Sequence, residues 1–520
     1  MIAITYILAA VVLLGLCIFV HELGHLLGGK LVGIKAEVFS IGYGKGFIKK
    51  KWGDTTYQIT LIPFGGYCKF YGEDPTEARE GKSYEFLSAH PLKRVVTVVM
   101  GPLFNLFFGI ILFFVMNVYG YPVETNKIYI PEYLTKGEYV SPAYTAGLRT
   151  GDIIVAINNE KVISFIDIQS KIAFSKGRPI VIKALRGNDS FEVTITPKKY
   201  TKKGYYTIGV MPYGNRVLVM GILENSPAQK AGLKELDEII EANGMQFHSP
   251  EEFTSFVRKN PLKKLSFTIN RGGTIMTVPV TPIQKDVLTI TDFTDLRFPK
   301  EKYSITVDSL SLIKAAADKG RVKVNGYTVT SFAQMKKIIA STNGVVTLQT
   351  PGGNYRGIMK FESFGFVGIE TAISPENKFI QYNITDAFVK SMVDPFDFIA
   401  LNFRGIGMMF SGELDVRQNL SGPIRIAKIA GDTAYYRGVS AFVVLMAKIS
   451  IILMVMNLLP IPMVDGSYIL IFLYEAVARR AFNQKLLEKI QMIGFAILVL
   501  LSIFVIFNDL SFLPFFKDLF

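Results

Sequence analysis

The sequence predicts a multi-pass α-helical membrane protein of about four transmembrane helices, with a β-hairpin after the first helix and α+β domains inserted between the second and third. Three observations carry this. Half of the 520 residues are hydrophobic and the mean hydropathy is +0.32, more apolar than one soluble domain requires. The apolar residues gather in four runs, each able to cross a hydrocarbon core of about 30 Å at about 1.5 Å of rise per residue. Between the second and third runs lies a long block of mixed polarity that contains an internal repeat.

The first run, within residues 1–28, stays uncharged from Ile2 to Val20 and passes directly into His21-Glu22-Leu23-Gly24-His25. It lacks the basic leader and small-residue cleavage site of a signal peptide, so it is expected to remain. In the loop at 29–94, the segments Val38–Tyr43 and Tyr57–Ile62 alternate like strands around a basic turn from Lys49 to Gly53, which reads as a β-hairpin or small sheet. The Gly42-Tyr43-Gly44-Lys45-Gly46 stretch lacks the spacing and following helix of a phosphate loop. The second span occupies 95–119.

The repeat follows. Ser141-Pro142-Ala143-Tyr144-Thr145-Ala146-Gly147-Leu148, running on to Asp152-Ile153-Ile154, recurs as Ser226-Pro227-Ala228-Gln229-Lys230-Ala231-Gly232-Leu233, running on to Asp237-Glu238-Ile239. With the turns at Asn158-Asn159 and Asn243-Gly244 and the amphipathic helices after them, these match PDZ domains, placed at 124–212 and 213–285. Such folds bind peptide ends or extended peptides by strand addition. A third, degenerate PDZ-like copy at 296–373 keeps Asn325-Gly326 and a helix region at Val329–Ile339 but lacks the Ala-Gly-Leu turn. The competing reading of all three is spacing between spans. Residues 384–438 are amphipathic, interrupted at Asp394-Pro395 and Gly405, and are expected to lie along the outer membrane surface. The third span, with a broken helix, fills 441–478, and the fourth fills 491–508.

Charge sets orientation. The net charge is +14, but no basic stretch is interleaved with stacking aromatics, which argues against a nucleic-acid partner. Much of the excess flanks the spans: Lys30, Lys35, Lys45, Lys49, Lys50, Lys51, Lys93 and Arg94 in one loop, and Arg479, Arg480, Lys485 and Lys489 in the other. Cytoplasmic loops collect such residues. Both termini and the PDZ block are then expected outside the cell. The two cysteines, Cys17 and Cys68, supply neither a disulfide framework nor a thiolate metal site.

The chemistry sits on the first span. Two histidines four apart share one helix face, so both imidazoles reach one metal while the intervening Glu stands beside the water there. With four histidines in the chain, the chance expectation for such a His-acid-x-x-His pattern is about 0.003. The bland reading is a pair of core histidines satisfied by carbonyls, and it suits membrane depth poorly. One zinc ion held this way needs a third protein ligand and an open position. Asp465 is the candidate: it lies in Asn457-Leu458-Leu459-Pro460-Ile461-Pro462-Met463-Val464-Asp465-Gly466, where two prolines break an apolar helix. Its plainer reading is a helix N-cap.

On these elements the sequence resembles the site-2 proteases, intramembrane zinc metalloproteases. Leu61-Ile62-Pro63-Phe64-Gly65-Gly66-Tyr67, Gly101-Pro102-Leu103-Phe104-Asn105 and Asn419-Leu420-Ser421-Gly422-Pro423-Ile424 extend the resemblance nearly end to end. With the PDZ repeats, it points to the bacterial regulator-of-sigma-factor protease branch. Val464, Ser467 and Tyr468 depart from the usual pattern without touching a candidate ligand. The resemblance implies a multi-pass protein of the bacterial cytoplasmic (inner) membrane. Its hairpin would be membrane-associated and would pair an extended substrate strand along Gly65, Gly66 and Tyr67. Its substrates would be single-span membrane proteins of the anti-sigma type, already trimmed outside by another protease.

The reading is an intramembrane zinc endopeptidase: His21, His25 and Asp465 as ligands, Glu22 as general base and later proton donor, and Asn457 supporting substrate or oxyanion. The alternative class is an inactive PDZ-bearing scaffold or chaperone, which a substitution in the metal motif would have favoured. A zinc transporter fits poorly, because acidic and histidine residues do not recur along the other spans.

Overall fold

The computed structural model describes residues 2–74, 80–136, 140–199, 204–291, 303–305, 313–342, 345–351 and 353–511. The expected start of the third repeat at 296 and the two terminal residues, whose side of the membrane was inferred from charge, lie outside the described residues.

Ten helices of interest are numbered in chain order: α1 (Ile2–Val32), α2 (Pro91–Tyr119), α3 (Phe165–Phe174), α4 (Pro250–Arg258), α5 (Phe332–Ser341), α6 (Ile384–Phe410), α7 (Pro423–Asp432), α8 (Gly438–Leu458), α9 (Asp465–Ala478) and α10 (Gln484–Ser511). Four stretches are helical, long and apolar enough to cross a membrane: Ile4–Val32, Pro91–Tyr119, Pro423–Leu458 and Lys485–Leu510. The third runs from α7 through a π-turn at Thr433–Arg437 into α8, so it begins well before the expected residue 441. All four outrun their apolar cores, because a helix continues until a cap or breaker stops it. Thus α2 starts at Pro91 and stops at Gly120, whose φ of 86° takes the chain out of the helix.

Helix α2 is the spine of the bundle. Its buried face carries Arg94, Thr97, Gly101, Asn105 and Gly109, and small residues on it let neighbours approach closely. A Cβ at Gly24 would fall 2.3 Å from the Met100 carbonyl, and one at Gly101 would fall 2.4 Å from the His25 ring. Further along, Gly109 lies against Ile451 of α8.

The hairpin is longer than its sequence pattern indicated. Its strands, Ala36–Trp52 and Thr55–Phe70, fold back so that Val38–Ile41 is bordered by Lys69–Gly66 on one side and Thr56–Ile59 on the other. This small sheet packs on α1, with Ile34, Phe39, Phe70 and Leu26 in a shared core.

The block between α2 and α6 holds three β units. In the first, the strands Glu160–Lys161, Ile153–Ile157, Ile180–Arg186 and Asp189–Ile195 lie side by side, and α3 packs Phe165, Ile168 and Ile172 onto them. The second repeats this with Glu238–Ala242, Leu265–Arg271 and Thr274–Val280 under α4. The third uses Val322–Val324, Val345–Thr350 and Gly353–Phe366 under α5. One device recurs in all three. Asn158, Asn243 and Asn325 adopt positive φ, and the Oδ1 of each accepts from a strand N–H: Val181 at 2.9 Å, Ser266 at 2.7 Å and Thr347 at 2.8 Å. Asn tolerates that backbone and its amide supplies the bond. Each unit's helix is then capped by a serine, Ser164, Ser249 or Ser331.

Two expectations are corrected. The second and third units do not divide at residues 285 and 296. Ile283–Thr291 pairs with Gly353–Phe366 in the third sheet, whereas Ile369–Pro375, assigned up to Ile373 to the third repeat, pairs with Gly214–Ile222 in the second. The third unit is therefore inserted into the second. Pairing between residues so distant leaves no local sequence signal. Nor is the amphipathic segment interrupted where expected: α6 runs through Asp394, Pro395 and Gly405, and the break comes only after Phe410. A proline removes one backbone bond, and a helix braced by neighbours tolerates that loss.

Candidate metal centre

Two helices supply the ligands. His21 and His25 project from one face of α1, and Asp465 opens α9. The Asp465 Oδ2 lies 3.1 Å from His21 Nε2 and 3.5 Å from His25 Nε2, and the two Nε2 atoms are 3.2 Å apart.

These contacts do not read as ordinary hydrogen bonds. His25 Nδ1 is 3.0 Å from the Thr97 carbonyl, which only accepts, so Nδ1 carries the proton and Nε2 presents a lone pair. Asp465 Oδ2 is buried and has no hydrogen-bond partner among the described residues. Lone pairs converge where a cation belongs. Donors about 2.05 Å from a tetrahedral zinc stand about 3.3 Å from one another; the observed edges of 3.1, 3.2 and 3.5 Å match. Among the described residues this is the one His/Cys/Asp/Glu cluster of metal-binding geometry.

The N-cap reading of Asp465 does not hold. Val464 occupies the cap position, and Asp465 is the first helical residue. The approach to it is strained: Pro460 and Pro462 donate no hydrogen bonds, Ile461 N–H reaches back to Leu459 O at 2.8 Å, and Met463 sits at a φ of 78°. A non-glycine residue held there costs about 1–3 kcal/mol and is met mostly at functional sites. Gly466 permits the fold-back, since a Cβ there would stand 2.3 Å from Leu459 O. Gly494 of α10 receives Pro462 in the same way, at 2.1 Å.

Glu22 lies between the histidines in sequence and faces the hairpin sheet. A Cβ on Gly66 would be 3.3 Å from Glu22 Cγ and 2.9 Å from Ser40 O, so the bare backbone of Gly65-Gly66-Tyr67 passes directly over the acid. Gly65, at a φ of 118°, is turned against the Tyr43 ring, which stacks on Tyr67. An apolar pocket of about 350 Å³ opens alongside, between Phe19 and Leu23 of α1 and Phe39, Ile41, Tyr57 and Ile59 of the sheet.

Asn457, at the end of α8, places its amide 3.4 Å from His21 Nε2 and 3.5 Å from Nδ1. The structure thus brings His21, His25, Asp465 and Asn457 together, with Gly66 of the hairpin beside Glu22.

Sequence reasoning gave no role at the site to three others, although Gly101 and Asn105 bound one of the stretches that carry the resemblance. Thr97 fixes the His25 tautomer, Gly101 makes room for its ring, and buried Asn105 stands 3.4 Å from His21 Nδ1. The Asn105 Oδ1 has no partner among the described residues. Turning its amide by half a revolution would set that oxygen on Nδ1–H, leaving His21 Nε2 free to ligate. The available signal was their spacing: with Arg94 they form a single stripe along α2.

The sequence matches the model of a family described as peptidase family M50 over residues 9–501. Similar proteins include one named "Putative zinc metalloprotease" in Treponema pallidum, 26% identical over 98% of this chain and 99% of that protein. Another is the regulator of sigma E protease of Haemophilus influenzae, 26% identical over 96% of this chain and 97% of that one. The regulator of sigma E protease of Salmonella typhi is 27% identical over 98% and 100%.

Proposed function

The chain belongs to peptidase family M50 and is a zinc metalloprotease, and from that premise we propose that it cuts single-span membrane proteins within or near their membrane segment. The observation that carries the proposal is the triad of His21, His25 and Asp465, with ligand atoms all within 4.8 Å of one another and both histidines on a helix apolar enough to cross a bilayer.

His21, His25 and Asp465 hold the ion. Bound there, zinc supplies an activated water and polarises the scissile carbonyl. Glu22 takes the proton of the attacking water and returns it to the departing amine, a role its place beside both histidines allows. Asn457 donates to the substrate carbonyl as charge develops. A membrane helix hides its peptide bonds, so the substrate must be unwound first. The exposed backbone of Gly65-Gly66-Tyr67 supports pairing with an extended strand, as strand addition requires.

Relatives named regulator of sigma E protease support substrates of the anti-sigma type. We place the protein in the bacterial inner membrane, with the β units outside as PDZ domains and the zinc site toward the cytoplasm, because the basic residues cluster in the two short loops. The β units gate access, so a substrate is cut only after an outer domain has been removed.

The test is Glu22→Gln against His21→Ala, His25→Ala and Asp465→Ala in the purified full chain. Glu22→Gln should keep zinc and lose cleavage of a single-span substrate, and the other three should lose both. Wild-type cleavage by Glu22→Gln would overturn the mechanism.

A further inference from the structure

A buried ion pair sits far from the triad. Arg94 Nη2, in the first turn of α2, lies 2.8 Å from Glu475 Oε2 near the end of α9, with side chains only 9% and 11% exposed. The guanidinium covers the Phe472 ring at 4.7 Å, and Glu475 Oε1 accepts from Phe482 N–H at 2.8 Å. No other Lys or Arg ion pair among the described residues is as buried on both sides. Desolvating two such charges costs several kcal/mol per ion, so a pair of this kind adds little stability, and in some proteins its role is to fix one geometry.

The geometry in question is the height of α9 on α2. Arg94, Thr97, Gly101 and Asn105 fall at i, i+3, i+7 and i+11, one stripe of a helix. The last three hold or face His25 and His21. The first holds Glu475, ten positions along α9 from Asp465, about 15 Å at 1.5 Å per residue. Upstream of Asp465 the chain is broken by Pro460, Pro462 and the left-handed Met463, so α8 passes no helical register to α9. A slip of one residue would lift Asp465 by about 1.5 Å and rotate it by about 100°.

We propose that Arg94 and Glu475 are positioning residues: their pairing sets α9 against the helix that orients the histidines, so zinc affinity depends on a contact roughly 15 Å away. The inference rests on His21, His25 and Asp465 being the ligands.

The experiment measures zinc affinity of the full-length purified protein by chelator competition, alongside thermal unfolding of the zinc-free form. The variants are Arg94→Glu, Glu475→Arg, the double charge swap, Arg94→Lys and Glu475→Gln. Each charge reversal should weaken zinc by about 10–100-fold, as loss of outer support to a metal site does. The swap should recover most of that loss, and Arg94→Lys should fall between. If the reversals do not fold, the volume-conserving Arg94→Lys and Glu475→Gln carry the test through the same reading. Unchanged zinc affinity in folded variants would overturn the proposal, as would a swap that restores the unfolding temperature without restoring zinc. Asp465→Ala separates the two layers: if it retains zinc, the ligand reading fails; if it loses zinc while the pair variants do not, only the positioning role fails.

Discussion

Replacing Gly101 by alanine tests whether the close crossing of α1 and α2 shapes the metal centre. On helix propensity alone the change should stabilise α2 by about 1 kcal/mol. The added Cβ, however, would stand 2.4 Å from both Cε1 and Nε2 of His25, where ordinary contact begins near 3.4 Å. Ring or helix must therefore retreat by about 1 Å, and metal–ligand distances tolerate only about 0.2 Å. Overpacking of this kind costs about 1–3 kcal/mol, which matches or exceeds the propensity gain; where the strain falls on the zinc-bound geometry, at 1.4 kcal/mol per tenfold it weakens zinc binding by about 5–150-fold. Gly109→Ala is the matched control. Its Cβ would meet chiefly the tip of the Ile451 side chain, at 2.6 Å from Cδ1, which a rotamer change relieves. Chelator competition on the purified proteins should separate the two variants. Equal zinc affinity in both would refute the argument that the glycine spacing fixes His25.

Three further outcomes are expected. Single cysteines at Lys161, Lys50 and Arg480 should be labelled from outside intact cells only at Lys161; the reverse pattern would invert the topology and remove the case for outer gating. Trp52, the one tryptophan in the sequence and 79% exposed at the hairpin tip, should be quenched by brominated phospholipid in vesicles, and unquenched emission would detach the hairpin from the bilayer. Gly147 and Gly232 sit at φ of 99° and 83° with open space around the missing Cβ, so Gly147→Asp with Gly232→Asp acts through the backbone, at about 1–2 kcal/mol per site. The double variant should cleave untrimmed substrates; loss of cleavage of trimmed ones, with zinc retained, would make the β units recruiters instead.

The chemistry was legible in the sequence because its signals are local. Four-residue spacing put His21 and His25 on one face, and two prolines marked Asp465 as lying in broken helix. What supports them was not legible. Thr97, Gly101 and Asn105 act across the gap between two helices, and nothing in α2 read alone tells which of its faces meets His25. The same holds for the sheets. The Asn turns identified three similar units, but the strand completing the second lies beyond the third, and the pairing of Ile369–Pro375 with Gly214–Ile222 follows only from their meeting in space.

That insertion bears on how the chain is made. The third unit leaves and rejoins its host at one spot, since its first and last long strands are zipped together where they start and finish, Ile283 opposite Phe366. On a ribosome, the host sheet waits without its final strand until the guest has been synthesised. Meanwhile the guest can close its own strand pairs and hold the waiting ends near each other, limiting the entropy lost when Ile369–Pro375 docks. A guest that tethers its own ends can also be lifted out: a short linker from Val280 to Ile369 would leave the host sheet all five strands.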